Sequence, residues 1–385
     1  MNLCNNNSRK IKILYFIDYL YGFGGTEKHL FNLAKKINPE LFDTIVAPLR
    51  FNTYIMNIFR EAGIKVHPFP INRIYGMTAL KHLPGICRLI KENNIDIIQT
   101  FNIDSDFYGS IIGKWCGVPI IISSRRDLGV YRKKRHLLLS KITNRYVTQF
   151  IAVCEAVAMN LIERENVLAE KITTIYNGFD LKELSSINFE NVTKLRKQLN
   201  IGSNTFVIGN VSHFRPEKGY EIFFKAIYEV RSYIPNLRVL AVGGGMKWLK
   251  YYQDQVHKMG LGDVVCFTGY VPQVLDYISL MDICCLTPVS NEGFSNAILE
   301  QMALGKPIIA TDVGGSREAI SHGESGIIIP PNNVDALVKA ILKLYNSKQL
   351  RRSLGIQAKK RLENRFRIED MIKKMEDFYI NLTTN

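Results

Sequence analysis

The chain has 385 residues, 46% of them hydrophobic and 10% aromatic, so it can bury a large core and is too apolar for intrinsic disorder. Thirteen prolines and 27 glycines exclude a collagen-like or low-complexity polymer, and no run of about 18 apolar residues is present to span a bilayer. Fifty Lys and Arg against 35 Asp and Glu leave a formal charge of +15, which points to an anionic partner.

The start, Met1 to Lys10, is polar and carries no apolar segment of the signal-peptide kind, so a cytoplasmic protein is expected. Ile11–Ile17 then reads as a strand, Gly22–Gly25 as a loop and Glu27–Ile37 as a helix. Further strands are expected at Thr44–Ala47, Lys65–Phe69, Ile95–Gln99, Ile120–Ser123, Phe150–Val153 and Thr173–Tyr176. After a polar linker with a leading helix, around Asp180–Asn200, the rhythm resumes. Its strands are Phe206–Val211, Arg238–Val242, Val264–Thr268, Ile283–Leu286, Pro307–Thr311 and Gly326–Ile329. Short Ile/Val runs alternating with amphipathic stretches mean parallel strands buried on both faces. The expectation is an α/β protein of two doubly wound domains, 1–182 and 183–366, with a last helix over 367–385 packing back on the first.

Charge is uneven along this plan. Residues 125–145 hold Arg125, Arg126, Arg132, Lys133, Lys134, Arg135, Lys141 and Arg145 against Asp127 alone. Such a cluster suits nucleic acid, anionic headgroups or a phosphorylated substrate, and also a plain solvated helix face. With Leu137–Leu139 and Ile142 it could lie on an anionic membrane. The seven cysteines are odd in number and lack any C-x-x-C, which suits free thiols in a reducing compartment and no zinc site.

In doubly wound sheets, ligands bind at the carboxyl ends of strands. The densest chemistry there is Glu292-Gly293-Phe294-Ser295-Asn296, which follows the strand Ile283–Leu286, leads into the helix Ala297–Leu304 and puts Glu300 a turn further on. Gly293 permits close approach of backbone to a ligand, Ser295 and Asn296 suit a helix start, and the amides there form an anion site. The two carboxylates could equally be first-turn charges favoured by the helix dipole. After the strand Phe206–Val211 come Arg215 and Lys218, cations able to clamp a pyrophosphate, though also plain loop charges. Gly24-Gly25-Thr26 opens the first helix, but Glu27 stands where a dinucleotide fingerprint needs glycine. Asp104-Ser105-Asp106 spells D-x-D, a metal-binding spacing that is also that of a polar loop. No P-loop, nucleophile elbow or zinc spacing is present.

The run Glu292-Gly293-Phe294, Glu300-Gln301-Met302-Ala303, Gly305, Pro307, Gly314-Gly315, Glu318 and Gly323-x-x-Gly326 resembles the retaining glycosyltransferases of the GT-B fold, family 4. That resemblance implies two Rossmann-like domains facing a cleft and a nucleotide-sugar co-substrate, UDP- or GDP-linked, with no other cofactor and no metal. It implies catalytic roles for Glu292, Arg215 and Lys218, Glu292 touching the sugar ring. Donor contacts would come from Glu300, Gly293, Phe294, Ser295, Asn296, Gly243, Gly245 and Val271. Gly24, Gly25, Thr26, Arg125 and Arg126 would lie on the acceptor side, Arg125 or Arg126 standing where the family has a histidine. His213 likewise stands where the family commonly has arginine. The implied activity is hexosyl or N-acetylhexosaminyl transfer to a lipid-linked or saccharide intermediate of surface polysaccharide or lipopolysaccharide, with no nucleic acid involved. The implied place is the cytoplasm, peripheral on the inner face of the plasma membrane. The alternatives are a GT-B nucleotide-sugar epimerase and a degenerate transferase that only binds.

Overall fold

The computed structural model describes residues 9–132 and 134–384, so Cys4 and Lys133 of the sequence reading lie outside the described residues, as does the side chain of Arg135. Contacts divide the chain into two units. Unit 1 takes Met1–Arg126, Tyr131–Tyr176 and Met371–Asn385, and unit 2 takes Asp127–Val130 and Asn177–Asp370. Unit 2 takes up the chain at Asn177, whose Nδ2 donates to the Phe294 carbonyl at 3.1 Å and to Asn296 Oδ1 at 2.8 Å.

Unit 1 is a seven-stranded parallel sheet, order β3-β2-β1-β4-β5-β6-β7. Its strands are β1 (Ile11–Leu20), β2 (Phe42–Phe51), β3 (Lys65–Val66), β4 (Ile97–Phe101), β5 (Ile120–Arg125), β6 (Gln149–Ala152) and β7 (Ile172–Thr174). The helices between them are α1 (Gly25–Lys36), α2 (Thr53–Glu61), α3 (Met77–Asn93), α4 (Ile103–Trp115), α5 (Lys134–Thr143) and α6 (Glu155–Glu165). Ile13 to Ile17 have no exposed surface, as strands covered by helices on both faces require. Asn52 caps α2 by accepting from the Tyr54 amide, which fixes where β2 turns into its helix.

Unit 2 is a six-stranded parallel sheet, order β10-β9-β8-β11-β12-β13. After α7 (Phe189–Gln198) come β8 (Phe206–Val211), α8 (Tyr220–Val230), β9 (Leu237–Val242), α9 (Met246–Lys258), β10 (Val265–Gly269) and α10 (Val274–Ser279). Then follow β11 (Ile283–Leu286), α11 (Asn296–Ala303), β12 (Ile308–Thr311), α12 (Ser316–Ala319), β13 (Ile327–Ile329), α13 (Val334–Tyr345), α14 (Lys348–Arg365) and α15 (Ile368–Thr384). Its core gathers Phe214, Tyr220, Phe223, Phe224 and Tyr252 around the Ile and Val of the central strands.

From Met371 on, α15 belongs to unit 1. There Tyr379 is fully buried, its ring 5.8 Å from Phe42, its hydroxyl 3.4 Å from that of Tyr15 and bonded to Gln99 Oε1.

One motif is corrected. Asp104-Ser105-Asp106 is no loop but the first turn of α4. Its carboxylates are taken by protein cations, Asp104 by Arg50 at 2.6 Å and Asp106 by Arg125 at 2.9 Å. Thr100 and Ser123 hydroxyls also donate to Asp106, at 2.6 and 2.8 Å.

Candidate functional site

Strand order reverses between β8 and β11 in unit 2, so the loops leaving their carboxyl ends diverge and open a crevice where doubly wound sheets bind ligands. The two loops are tied together across that point. Thr287, just after β11, donates its hydroxyl to the Lys218 and Gly219 carbonyls at 3.3 and 3.2 Å, and the Val289 amide donates to the Glu217 carbonyl at 2.9 Å. Lys218, from the loop after β8, then reaches Glu292, from the loop after β11, with 2.6 Å between Nζ and Oε2. Sequence reading names both residues, and the structure pairs them. Glu292 is buried, so Lys218 both satisfies it and leaves a balanced pair that a ligand's own charge can rearrange.

The Glu292 loop is held by close backbone packing. Gly314, at φ +56°, lies so near that a Cβ there would stand 2.0 Å from the Glu292 carbonyl oxygen, and the Gly315 amide donates to the Gly293 carbonyl at 2.8 Å. Phe294 is buried against the Phe366 ring, with centroids 5.2 Å apart. Ser295 is the N-cap residue of α11 but its side chain makes no cap bond, and Asn296 is engaged by Asn177 instead. Asn177 is a site neighbour that sequence reading does not name, since its partners lie more than a hundred residues away. Glu300 is buried a turn inside α11.

The other predicted donor residues come to the same sheet edge. A Cβ at Gly243 would stand 1.9 Å from the Ser212 carbonyl oxygen, so only glycine lets the loop after β9 lie against the loop after β8. Gly245 caps α9, and Val271 lies in the loop after β10. Arg215 is 61% exposed, its nearest acidic partner being Glu217 at 3.9 Å. His213 has its pKa lowered, first by burial and then by Arg215 and Lys218, so the imidazole stays neutral where an arginine would carry charge.

In unit 1, Gly24 is the N-cap of α1, Gly25 and Thr26 form its first turn at the end of β1, and Phe23 packs against Phe31 and Phe59. The expectation for Arg125 changes. Its side chain is 4% exposed and pairs with Asp106 and, at 3.2 Å, with Glu165. Arg132 reaches Glu165 at 2.5 Å. Burial pushes Glu165 up, but Arg125 and Arg132 outweigh it and hold the carboxyl below its ordinary value. Arg126 is half-buried, and burial lowers its guanidinium to about 10. Part of the basic stretch is therefore interior ion pairing, invisible in a charge count because its acids come from α4 and α6. Lys134, Lys141 and Arg145 do remain exposed.

No group of three or more metal-ligating side chains occurs, and no helix is long and apolar enough to cross a membrane, among the described residues.

Two family models match the chain: "Glycosyl transferases group 1" over residues 191–361 and "Glycosyltransferase Family 4" over residues 23–183. Two doubly wound parallel sheets with these motifs define the GT-B class. The chain belongs to the group 1 glycosyltransferases of that fold and is a glycosyltransferase. It is 25% identical over 320 residues, 80% of each chain, to the Escherichia coli UDP-Gal:alpha-D-GlcNAc-diphosphoundecaprenol alpha-1,3-galactosyltransferase. It is 26% identical over 323 residues, 81% of this chain and 84% of the relative, to the capsular polysaccharide biosynthesis glycosyltransferase CapM of Staphylococcus aureus. The crystal structure of Anabaena HepE in complex with UDP-glucose superposes with a TM-score of 0.85 at 24% identity, over 96% of this chain and all of that one, a likeness of fold.

Proposed function

We propose that the protein transfers a hexose or N-acetylhexosamine from a UDP-sugar, with retention of anomeric configuration, to a lipid-linked saccharide diphosphate in surface-polysaccharide synthesis. The observation that carries this reading is the Lys218–Glu292 pair across the point where strand order reverses, with Glu300 buried one turn away. In this reading Glu300 accepts from the ribose hydroxyls. The α11 amides and the cations Arg215 and Lys218 hold the diphosphate, with no metal required. As the bond from the anomeric carbon to the diphosphate oxygen breaks, these cations stabilise the growing negative charge. The acceptor hydroxyl attacks on the same face and its proton passes to the leaving diphosphate oxygen, so UDP and the glycoside are the products. Glu292 orients the sugar hydroxyls, and catalysis is positional and electrostatic. The name of the Escherichia coli relative supports the donor nucleotide and the acceptor class, and that of CapM supports surface-polysaccharide synthesis.

The same reading places unit 1 against an anionic membrane, with exposed Leu138 and Ile142 of α5 entering the headgroup layer beside Lys134, Lys141 and Arg145. The test is incubation with UDP-galactose, UDP-glucose or UDP-N-acetylglucosamine and N-acetylglucosaminyl-diphosphoundecaprenol in vesicles. Proton NMR of the product reads the anomeric coupling: a small, α-type coupling is expected, and a large β-type coupling or no product with any donor defeats the reading.

A further inference from the structure

Two thiols of unit 1 meet in its helical layer. Cys87 lies on α3, and Cys116 caps the carboxyl end of α4, just before β5 begins, so it sits at the amino edge of the sheet. Their Sγ atoms stand 2.7 Å apart although the residues are 29 apart in sequence. Both are half-buried, whereas Cys154, Cys284 and Cys285 are buried. Packing holds the two sulfurs in place. Ile86 and Ile90 of α3 and Ile112 of α4 join one core cluster with Val118, and both cysteines pack against it. The Tyr108 hydroxyl of α4 donates to the Ala79 carbonyl of α3 at 2.7 Å, a second tie between the same helices. The other end of α4 is fixed as well, since its Asp104 and Ser105 amides donate to the Asp18 carboxyl group at 3.0 and 2.6 Å. Cys116 also lines an open pocket of about 330 Å³ with Lys91, Asn94 and Asp96, room enough for a small oxidant to reach it.

We infer that Cys87 and Cys116 are a reversible oxidation site, closing to a disulfide that bonds α3 to α4 when the chain meets a hydroperoxide. An S–S bond is about 2.05 Å long, so the sulfurs need approach by less than an ångström. The hydroperoxide first oxidises one thiol to a sulfenic acid and is itself reduced to the alcohol, or to water when it is hydrogen peroxide. The second sulfur then attacks the first and displaces its hydroxyl, which leaves as water with the proton of the attacking thiol. Two thiols and one hydroperoxide thus become one disulfide, one alcohol and one water. Under reducing conditions the pair rests as thiols. Cys284 and Cys285 offer no second pair of this kind, because successive residues of β11 point to opposite faces of the sheet. Burial and then Cys87 push the Cys116 thiol up to about 12, against the pull of Lys91. Closure is therefore slow at neutral pH and quickens as pH rises.

The test uses the full chain, reduced, freed of reductant and treated with hydrogen peroxide at mildly alkaline pH, its remaining thiols then alkylated in denaturant. Two of the seven thiols should escape alkylation, peptide mapping should join Cys87 to Cys116, and dithiothreitol should return both. Bridging two helices that already touch should raise the melting temperature of the oxidised chain by about 5–10 °C. Cys87→Ser and Cys116→Ser, treated in the same way, should form no bridge and show no such rise. Three results overturn the site: Cys87 and Cys116 recovered unlinked after peroxide that oxidises glutathione in the same solution, a bridge from either of them to another cysteine, or a bridge between them that leaves melting unchanged or lower. The peptide map of the native chain decides the matter even where a serine variant fails to fold.

Discussion

The two sheets reverse strand order at equivalent places, yet the chemistry set there is opposite. At β8/β11 a lysine crosses to a glutamate, an arginine stands exposed beside it, and the following helix carries no side-chain cap. At β1/β4 an aspartate plugs the following helix, a second aspartate is tied to an arginine, and tyrosines face solvent. One topology thus carries, at equivalent edges, an exposed cation beside a helix start without a side-chain cap and a helix start bonded to an internal carboxyl group. The lesson is that position in a doubly wound fold says where a ligand lies, and the side chains at that edge say which one.

The largest effect that sharpens this contrast separates two arginines. Arg125→Ala should destabilise unit 1 by about 3–5 kcal/mol, because buried Asp106 would lose its nearest cation and buried Glu165 would keep only Arg132. Calorimetric melting reads this. Arg215→Ala, at an exposed site, should leave melting within about 0.5 kcal/mol yet lower turnover roughly a hundredfold if it stabilises the departing diphosphate. Equal melting loss in both would erase the distinction between interior and site cations.

Next in size, Gly314→Ala should cost on the order of 1–3 kcal/mol and raise the Michaelis constant for the donor. Its φ is left-handed and the new Cβ would push on the Glu292 carbonyl. Normal donor kinetics in that variant would show that the loop is not held in the way described.

The smallest effect concerns acidity. Burial and then Asp104 raise Asp18 from 3.8 to about 7, against the pull of the α4 amides. Between those values the folded chain holds a proton that the unfolded chain has lost. The group's contribution to stability is therefore present at low pH and is lost as pH rises through about 7. Carbon-13 NMR of the carboxyl should show a midpoint near 7, and melting should fall slightly from pH 6 to pH 8, a slope absent in Asp18→Asn. A midpoint near 4 would mean the helix start stabilises the anion more than burial opposes it.

Much of this was legible in the sequence. Strands such as Phe206–Val211 and Ile283–Leu286 are legible to the residue, since short apolar runs bounded by Thr205 and Ser212, or by Asp282 and Thr287-Pro288, leave few alternatives. Glu292, Lys218 and Glu300 were found because their spacing follows strand ends. What escaped was pairing over long separations: Arg125 with Asp106 and Glu165, Asn177 with Phe294 and Asn296, and Asp18 with the start of α4. A charge in a list of residues carries no sign of whether folding supplies its partner. That is why the sequence groups interior Arg125 and Arg132 with exposed lysines and does not show that D-x-D opens a helix.

The most direct test of the central claim, that unit 2 holds a nucleotide sugar at the β8/β11 reversal, is calorimetric titration of UDP into the full chain and into Glu300→Gln. The account predicts saturable binding by the native chain, weakened about tenfold or more in the variant while its melting stays close to native. Equal binding by both proteins, or no binding by the folded native chain, would contradict it.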